Sequence, residues 1–190
     1  MRQPHAKKRV LGVDLDNVLA HTDPLIRRLI EEMFGIHLGQ RDIIHFDYWR
    51  CGITMEQDHA VFDRFHNSDC ATVAVIDGAV NALLSLHDGF EIHIVTGRPP
   101  STERSTLDWL EAHGIPYDEL DFRKRKEESR FNFDAFVDDH RETGYALAGR
   151  GVCSFLFDYP WNQPDPIDPA NLIRVMSWKE IQAHLERFFA

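Results

Sequence analysis

Residues 9–20 read RVLGVDLDNVLA, an apolar run that gives way to two aspartates, Asp14 and Asp16. The part from Arg9 to Leu15 is short and rich in branched apolar side chains, which is typical of a strand buried in a parallel sheet. Ligands bind beyond the carboxyl ends of strands in open parallel sheets, so both aspartates are candidate functional residues. Aspartates also cap turns, and for this pair taken alone that alternative is equally open.

Five further short apolar runs end at polar or glycine-containing turns and predict strands. They cover Phe90 to Val95, Glu119 to Phe122, Ala135 to Val137, Val152 to Phe157 and Leu172 to Val175. The helix signals are Asp77 before a helix to about His87, Ser101 before one that stops at Gly114, and Ser177 with Glu180 before the last helix. This alternation predicts an α/β fold with a doubly wound, mostly parallel sheet.

Residues 20–77 interrupt the alternation and show helix signals without a convincing strand. The segment from Pro24 to Phe34 has apolar side chains at helical spacing. Thr54 with Gln57 forms the capping-box pattern, which opens a helix through Phe65. We predict a small helical cap at residues 20–77, inserted after the first strand of a core formed by residues 1–19 and 78–190. A plain helical excursion without the role of a cap is the alternative.

The composition argues against several classes of protein. A net charge of -10 disfavours a nucleic-acid polymer as partner, because backbone recognition needs a concentrated basic surface. The three cysteines lie at wide spacings without a zinc or redox motif, which indicates a reducing compartment. No apolar stretch approaches the roughly 20 residues that span a bilayer, and the basic beginning lacks a signal-peptide core. We expect a cytoplasmic globular protein without a membrane partner, and we leave oligomerisation open.

Polar residues follow two more of the predicted strands. Thr96, Gly97 and Arg98 follow the run from Phe90 to Val95. A hydroxyl group, backbone N–H groups and a guanidinium suit phosphate oxygens, and the glycine lets the backbone approach them closely. Taken alone, a Thr-Gly turn is more often a simple connection than a phosphate site.

Asp138 and Asp139 follow the run from Ala135 to Val137, so acidic side chains stand at two strand ends. With Asp14 and Asp16 they would gather at one rim of the sheet, where unpaired carboxylates repel one another and need a cation. Ligation by oxygen alone points to Mg²⁺ rather than zinc. The eleven histidines are scattered without a compact ligand spacing. Among them, His66 is expected to be solvated or hydrogen-bonded.

In their order along the chain, these motifs resemble those of the haloacid dehalogenase-like (HAD) hydrolase superfamily, from Arg9 to about Asn162. VDLDNVLA resembles the first motif, VTGRPP the second and VDDH the fourth. The resemblance implies a phosphatase in which Asp14 attacks phosphorus to form an aspartyl-phosphate, and Asp16 protonates the leaving oxygen before activating water. It also implies that magnesium is held by Asp14, the backbone carbonyl of Asp16 and Asp138, with Asp139 as a ligand or a neighbour of the ligands.

The same superfamily uses a lysine between the second and fourth motifs to neutralise the nucleophile and the phosphate. Lys124 and Lys126 both follow the predicted strand from Glu119 to Phe122. We favour Lys124, which is nearer the strand end and fourteen positions before Asp138. Asn17 replaces the glycine common after the second aspartate, and asparagine tolerates the unusual backbone angles of such a turn better than most residues.

Within the superfamily, the chain is similar to the 5'(3')-deoxyribonucleotidases and their bacterial relatives. The similarity rests on the helical insertion and on TGRPP, HGIPYDEL and LFDYPWN, and it implies a nucleotide as the small phosphorylated substrate. A phosphatase of sugar phosphates or other small metabolites is one alternative. A non-hydrolytic phosphate-binding regulatory module is another, although the presence of both Asp14 and Asp16 favours turnover.

Aromatic residues of the insertion are candidates for contact with a nucleobase. Phe46, Tyr48 and Trp49 lie close together in sequence, and aromatic faces accept bases with little demand on base identity. Packing inside the small insertion is the stronger alternative for these three residues. Phe62 and Phe65 are expected in the core.

Overall fold

A computed structural model of the protein describes residues 8–163 and 168–189. In this part of the chain, six parallel strands form one sheet in the order β3-β2-β1-β4-β5-β6. The strands are β1 (Arg9–Val13), β2 (Phe90–Thr96), β3 (Glu119–Phe122), β4 (Ala135–Asp138), β5 (Cys153–Phe157) and β6 (Leu172–Val175). The predicted α/β fold with a parallel sheet is confirmed.

Six α-helices accompany the sheet in the described residues: α1 (Thr22–Phe34), α2 (Met55–Arg64), α3 (Ala79–Leu86), α4 (Glu103–Ala112), α5 (Arg141–Ala148) and α6 (Trp178–Phe189). The capping box at α2 is confirmed, because Thr54 and Gln57 exchange side-chain and backbone hydrogen bonds. The cap expected from Asp77 is wrong. Gly78 precedes α3 at a φ of 81°, and this residue occupies the N-cap position without a side-chain hydrogen bond.

Apolar side chains alternate between the two faces of the sheet, and helices cover both faces. Val137 and Phe155 belong to the larger core, which includes residues of α3 and α6. Phe136, the neighbour of Val137 in β4, packs instead with Leu147 of α5. Because successive strand side chains point to opposite faces, this division is what a doubly wound sheet requires.

Gly12 in the middle of β1 is required by close packing. A Cβ atom at this position would lie 2.1 Å from a ring carbon of Phe136 and 2.9 Å from one of Phe133. The two aromatic rings therefore fill the space that any other residue in this central strand would need. The dense contact fixes β1 against β4, so it also fixes the relative positions of Asp14, which follows β1, and Asp138, which ends β4.

The helical segment 20–77 leaves the sheet and returns to it at adjacent points. Ala20 forms an isolated bridge with Val75, and the backbone N–H of Ile76 donates to Leu19 O at 2.8 Å. Between these points the described chain forms α1, α2 and single helical turns. This geometry supports an insertion after β1, while the division into a cap and a core stays a prediction.

The order of the strands explains where a site can form. β1 lies between β2 and β4, so the carboxyl ends of the three strands meet at the centre of one edge.

Across residues 8–163 and 168–189, none of the helices has the length and apolarity that a membrane span needs.

Candidate active site

Three buried carboxylates converge at the carboxyl ends of β1 and β4. Asp14, Asp138 and Asp139 each offer an oxygen within 4.8 Å of the others, and each side chain is almost fully buried. The backbone holds two of them in place: Asp14 N donates to Val137 O at 2.9 Å, and His140 N donates to Asp138 Oδ1 at 2.9 Å. A hard divalent cation with oxygen ligands fits this donor set.

Lys126 supplies the ammonium group of the site. Its Nζ lies 2.8 Å from Asp14 Oδ2 and 3.0 Å from Asp138 Oδ2. The structure thus corrects the preference for Lys124, which is exposed at the mouth of the site. A single helical turn, Lys126–Glu128, directs Lys126 inward, whereas the backbone of Lys124 lies beside Gly97. The direction of a side chain in such a loop depends on tertiary packing and cannot be obtained from its distance to a strand end.

The charges of this cluster are only partly balanced. Burial raises the pKa of Asp14 to about 7, and Lys126 opposes that change while Asp138 adds to it. Burial, followed by the charges of Asp14 and Asp138, raises the pKa of Asp139 well above its ordinary value. Burial lowers the pKa of Lys126, but the charges of Asp138 and Asp14 outweigh it and the net shift is upward. Three carboxylates thus share one ammonium, and a divalent cation would stabilise their charged forms.

Asp16 lies beside the cluster and is held by two residues. Arg98 donates through Nε to Asp16 Oδ2 at 2.8 Å and through Nη2 to Oδ1 at 2.7 Å. The hydroxyl group of Thr22, the first residue of α1, donates to Oδ1 at 2.6 Å. Burial raises the pKa of Asp16, but Arg98 and Thr22 outweigh it, so that the net pKa lies below its ordinary value.

The residues predicted to bind phosphate divide into two groups. Gly97 is exposed and lines a cavity above the carboxylates, as does Lys124. Thr96 is fully buried at the end of β2, and its hydroxyl group accepts a hydrogen bond from Arg98 N at 3.2 Å. Arg98 is not free to bind a phosphate group, because its guanidinium is paired with Asp16. The sequence prediction for Arg98 is corrected in this respect.

Asn17 adopts the left-handed conformation, with a φ of 59°, as expected for a residue that replaces glycine. Its side chain also forms contacts that glycine cannot make. Nδ2 donates to Asp139 Oδ2 at 3.2 Å, and Oδ1 accepts from Asp23 N in the first turn of α1 at 2.8 Å. Asn17 therefore connects the acidic cluster to the beginning of the helical insertion.

A cavity of about 380 Å³ opens above these residues and is lined by aromatic side chains of the insertion. They include Phe46 and Tyr48, and also Phe62 and Phe65. Phe65 is buried in the hydrophobic core, as predicted, and Phe62 packs against that core. Trp49 is exposed and is not among the lining residues. A volume of this size is typical of sites for small ligands.

His66 and Trp161 are among the lining residues that were not predicted from the sequence. His66 lies in a π-helical turn, Phe65–Asp69, and burial lowers the pKa of its imidazole. Trp161 follows β5 and stacks on Tyr159, with a centroid distance of 4.2 Å. Turns of the π type are frequent at functional sites, but no sequence signal of this chain marks one here.

Comparison with known proteins places the chain in a family. Residues 8–187 match the model of the family described as "5' nucleotidase, deoxy (Pyrimidine), cytosolic type C protein". The chain belongs to this family. A relative from Chlorobaculum tepidum, named "Putative 5'(3')-deoxyribonucleotidase", is 28% identical to this chain over 190 residues, which cover 94% of this chain and 91% of the relative.

Solved structures show that this nucleotidase-family chain has the HAD fold. A haloacid dehalogenase-like hydrolase from Streptococcus pneumoniae has a TM-score of 0.64 at 13% identity, covering 94% of this chain and 98% of its own. A HAD-type protein from Bacillus subtilis, described as bound to magnesium, has a TM-score of 0.65 at 16% identity, covering 95% of this chain and 99% of its own. Together, the nucleotidase family and the HAD fold identify the protein as an enzyme, a HAD-type phosphatase.

Proposed function

We propose that this phosphatase is a magnesium-dependent nucleotidase that hydrolyses phosphate monoesters through an aspartyl-phosphate on Asp14. The observation that carries the proposal is the contact of Lys126 with both Asp14 and Asp138, directly beneath an aromatic cavity. An ammonium at this position balances the negative charge of both the attacking carboxylate and an incoming phosphate group. The exposed backbone of Gly97 lies at the same opening and is available to phosphate oxygens.

In the first step, a carboxylate oxygen of Asp14 attacks phosphorus, and the bond from phosphorus to the ester oxygen breaks. The leaving oxygen takes a proton from Asp16 and departs as an alcohol. The Arg98 contact favours the carboxylate form of Asp16, but a phosphate group bound nearby carries negative charge and raises the pKa of Asp16. Substrate binding therefore shifts Asp16 toward the protonated form that this step requires.

In the second step, the Asp16 carboxylate removes a proton from a water molecule, and the oxygen of that water attacks phosphorus of the aspartyl-phosphate. The bond between phosphorus and the Asp14 oxygen breaks, which releases inorganic phosphate and restores the Asp14 carboxylate. One residue thus serves as acid and then as base, so each step begins with Asp16 in the form the previous step produced.

The residues that would hold magnesium are Asp14, Asp138 and the backbone carbonyl of Asp16, with Asp139 as a further candidate. The convergence of buried carboxylate oxygens within 4.8 Å supports this assignment. When bound, Mg²⁺ would neutralise phosphate charge that otherwise repels the attacking carboxylate. The related fold from Bacillus subtilis that was described as bound to magnesium adds support.

A nucleotide is the substrate class that the family description and the aromatic cavity both favour. The rings of Phe46, Tyr48 and Phe62 provide flat apolar surface beside the phosphate position, and such surface suits a base. A sugar phosphate would need more polar partners for its hydroxyl groups. The cytoplasmic location expected from the sequence stays a prediction.

The test measures phosphate release from 5'- and 3'-deoxyribonucleotides, ribonucleotides and sugar phosphates, with and without Mg²⁺. We expect selective, magnesium-dependent turnover of deoxyribonucleotides, and no turnover by the Asp14→Asn variant. A preference for sugar phosphates would retain the mechanism and overturn the substrate class. Turnover by Asp14→Asn near the wild-type rate would overturn the assignment of the nucleophile.

A further inference from the structure

The side chain of Arg98 is buried and pairs chiefly with Asp16. Its side chain is 1% exposed. Nε and Nη2 form a bidentate pair with Asp16, and Nη1 donates to the Thr106 hydroxyl group of α4 at 3.5 Å. The planar guanidinium fork matches a carboxylate and fixes the plane of its partner.

The pairing leaves one oxygen of Asp16 less occupied than the other. Oδ1 accepts hydrogen bonds from both Arg98 and Thr22, whereas within the described residues Oδ2 accepts only the one from Arg98 Nε. A carboxylate oxygen has two acceptor sites, so Oδ2 keeps one for proton transfer. The Asp16 side chain is 25% exposed and lines the cavity.

The insertion contributes to the same arrangement. The guanidinium carbon of Arg98 lies 5.2 Å from the centre of the Phe65 ring, which begins the π-helical turn. Phe65 is itself 1% exposed. Arg98 is therefore packed between Asp16 on the core side and an aromatic ring of the insertion, and both contacts restrict its position.

We propose that Arg98 is a positioning residue, held by Phe65, that orients the Asp16 carboxylate for proton transfer to the leaving group. The inference rests on the proposed function, because Arg98 acts only through the acid/base role proposed for Asp16. It differs from the role of a phosphate ligand, which would act on substrate binding. Proton transfer depends steeply on geometry, so the fork contributes to the chemical step.

The experiment compares two leaving groups in the first turnover of the full-length protein with Mg²⁺. A deoxynucleoside monophosphate releases an alkoxide that needs a proton, whereas p-nitrophenyl phosphate releases a stabilised phenolate that needs none. Arg98→Lys keeps the charge and loses the fork. We expect it to slow the first turnover of the nucleotide by about tenfold or more and that of the aryl ester by less than about threefold, with little change in KM.

Matched variants distinguish positioning from general damage. Arg104→Lys makes the same change at an exposed ion pair of α4 and should leave both rates unchanged. Phe65→Leu should produce the same difference between leaving groups, but a smaller one. In an Asp16→Asn background, Arg98→Lys should have no further effect on the first turnover of either substrate, because Arg98 acts only through Asp16.

An equal slowing of both substrates by Arg98→Lys, or a rise in KM alone, would overturn the positioning role while leaving the phosphatase mechanism intact. A further loss in the Asp16→Asn background would do the same. Failure of the wild-type protein to release phosphate from either ester would instead reject the proposed function itself. The two failures are therefore distinguishable.

Discussion

The ammonium group of Lys126 lies 2.8 Å from Asp14 Oδ2, although the two residues are far apart in sequence and both are buried. A buried ion pair of this kind is costly to break, because removal of one partner leaves an uncompensated charge. Here the same ammonium also contacts Asp138. It therefore balances two of the three carboxylates in the cluster.

Lys126→Ala is expected to lower kcat by about a hundredfold or more, since it removes the preorganised positive charge at the position of the phosphate group. Lys124→Ala is the matched control, because Lys124 lies at the mouth of the same cavity and is exposed. We expect this control to change kcat by less than about threefold. The measurement is kcat of both variants in steady-state kinetics on one nucleotide. A larger loss of kcat in Lys124→Ala than in Lys126→Ala would show that Lys124 is the lysine of this motif.

Binding of magnesium should stabilise the folded protein, and this effect can be measured without turnover. A ligand that binds only the folded state raises its stability by about 2.7 kcal/mol at a hundred times its Kd. The melting temperature should therefore rise with Mg²⁺ concentration. Asp138→Asn should abolish the rise, while Asp134→Asn, at a carboxylate that accepts from Val10 N outside the cluster, should retain it. An unchanged Mg²⁺ response in Asp138→Asn would contradict the assigned metal site.

Much of the site could be predicted because it follows from the sheet. Asp14, Thr96 and Asp138 each end a short apolar run, and parallel strands bring such ends to one edge. The strand pattern of the sequence therefore predicts both the fold and the position of the acidic cluster. The capping box of Thr54 and Gln57 was equally readable, because its hydrogen bonds are local in sequence.

The rest depends on contacts that are distant in sequence or on irregular backbone. The choice of Lys126 over Lys124 is made by a single helical turn. Arg98 pairs with Asp16, which lies 82 positions away in sequence, and the motif TGRPP does not predict that pairing. His66 reaches the cavity from a π-helical turn, and the sequence carries no signal that predicts such a turn.

A buried histidine in β2 gives the stability a predictable dependence on pH. The ring of His93 lies 4.3 Å from that of Phe131, and Nδ1 has no hydrogen-bond partner among the described residues. Burial lowers the pKa of His93 below its ordinary value of 6.5, although nearby acidic groups, chiefly Glu91, act to raise it. Because the folded-state pKa is the lower one, the stabilising contribution is complete above the unfolded-state pKa and is lost as the pH falls through the folded-state pKa.

His93→Phe is therefore expected to reduce the fall in melting temperature between about pH 7.5 and about pH 5, since the variant carries no imidazole to protonate. The control is His59→Phe, which makes the same change at an exposed residue of α2. Thermal unfolding across this pH range, in a buffer without Mg²⁺, is the measurement. Equal pH dependence of the wild-type protein and His93→Phe would contradict the role of His93.

Phe46 tests whether the insertion binds a base. Its ring lines the cavity, lies 4.4 Å from that of His140 and is 48% exposed, so it has free surface for stacking. Stacking of a base on an aromatic side chain contributes about 1–3 kcal/mol, so Phe46→Ala should lower kcat/KM for a nucleotide by about tenfold. The turnover of glycerol phosphate, which has no ring, should stay nearly unchanged.

The matched control is Trp49→Ala, which removes an exposed aromatic side chain of the same segment that does not line the cavity. Equal losses for the nucleotide and for glycerol phosphate would mean that Phe46 supports the shape of the insertion rather than the base, and a larger effect of Trp49→Ala would place the base on another face.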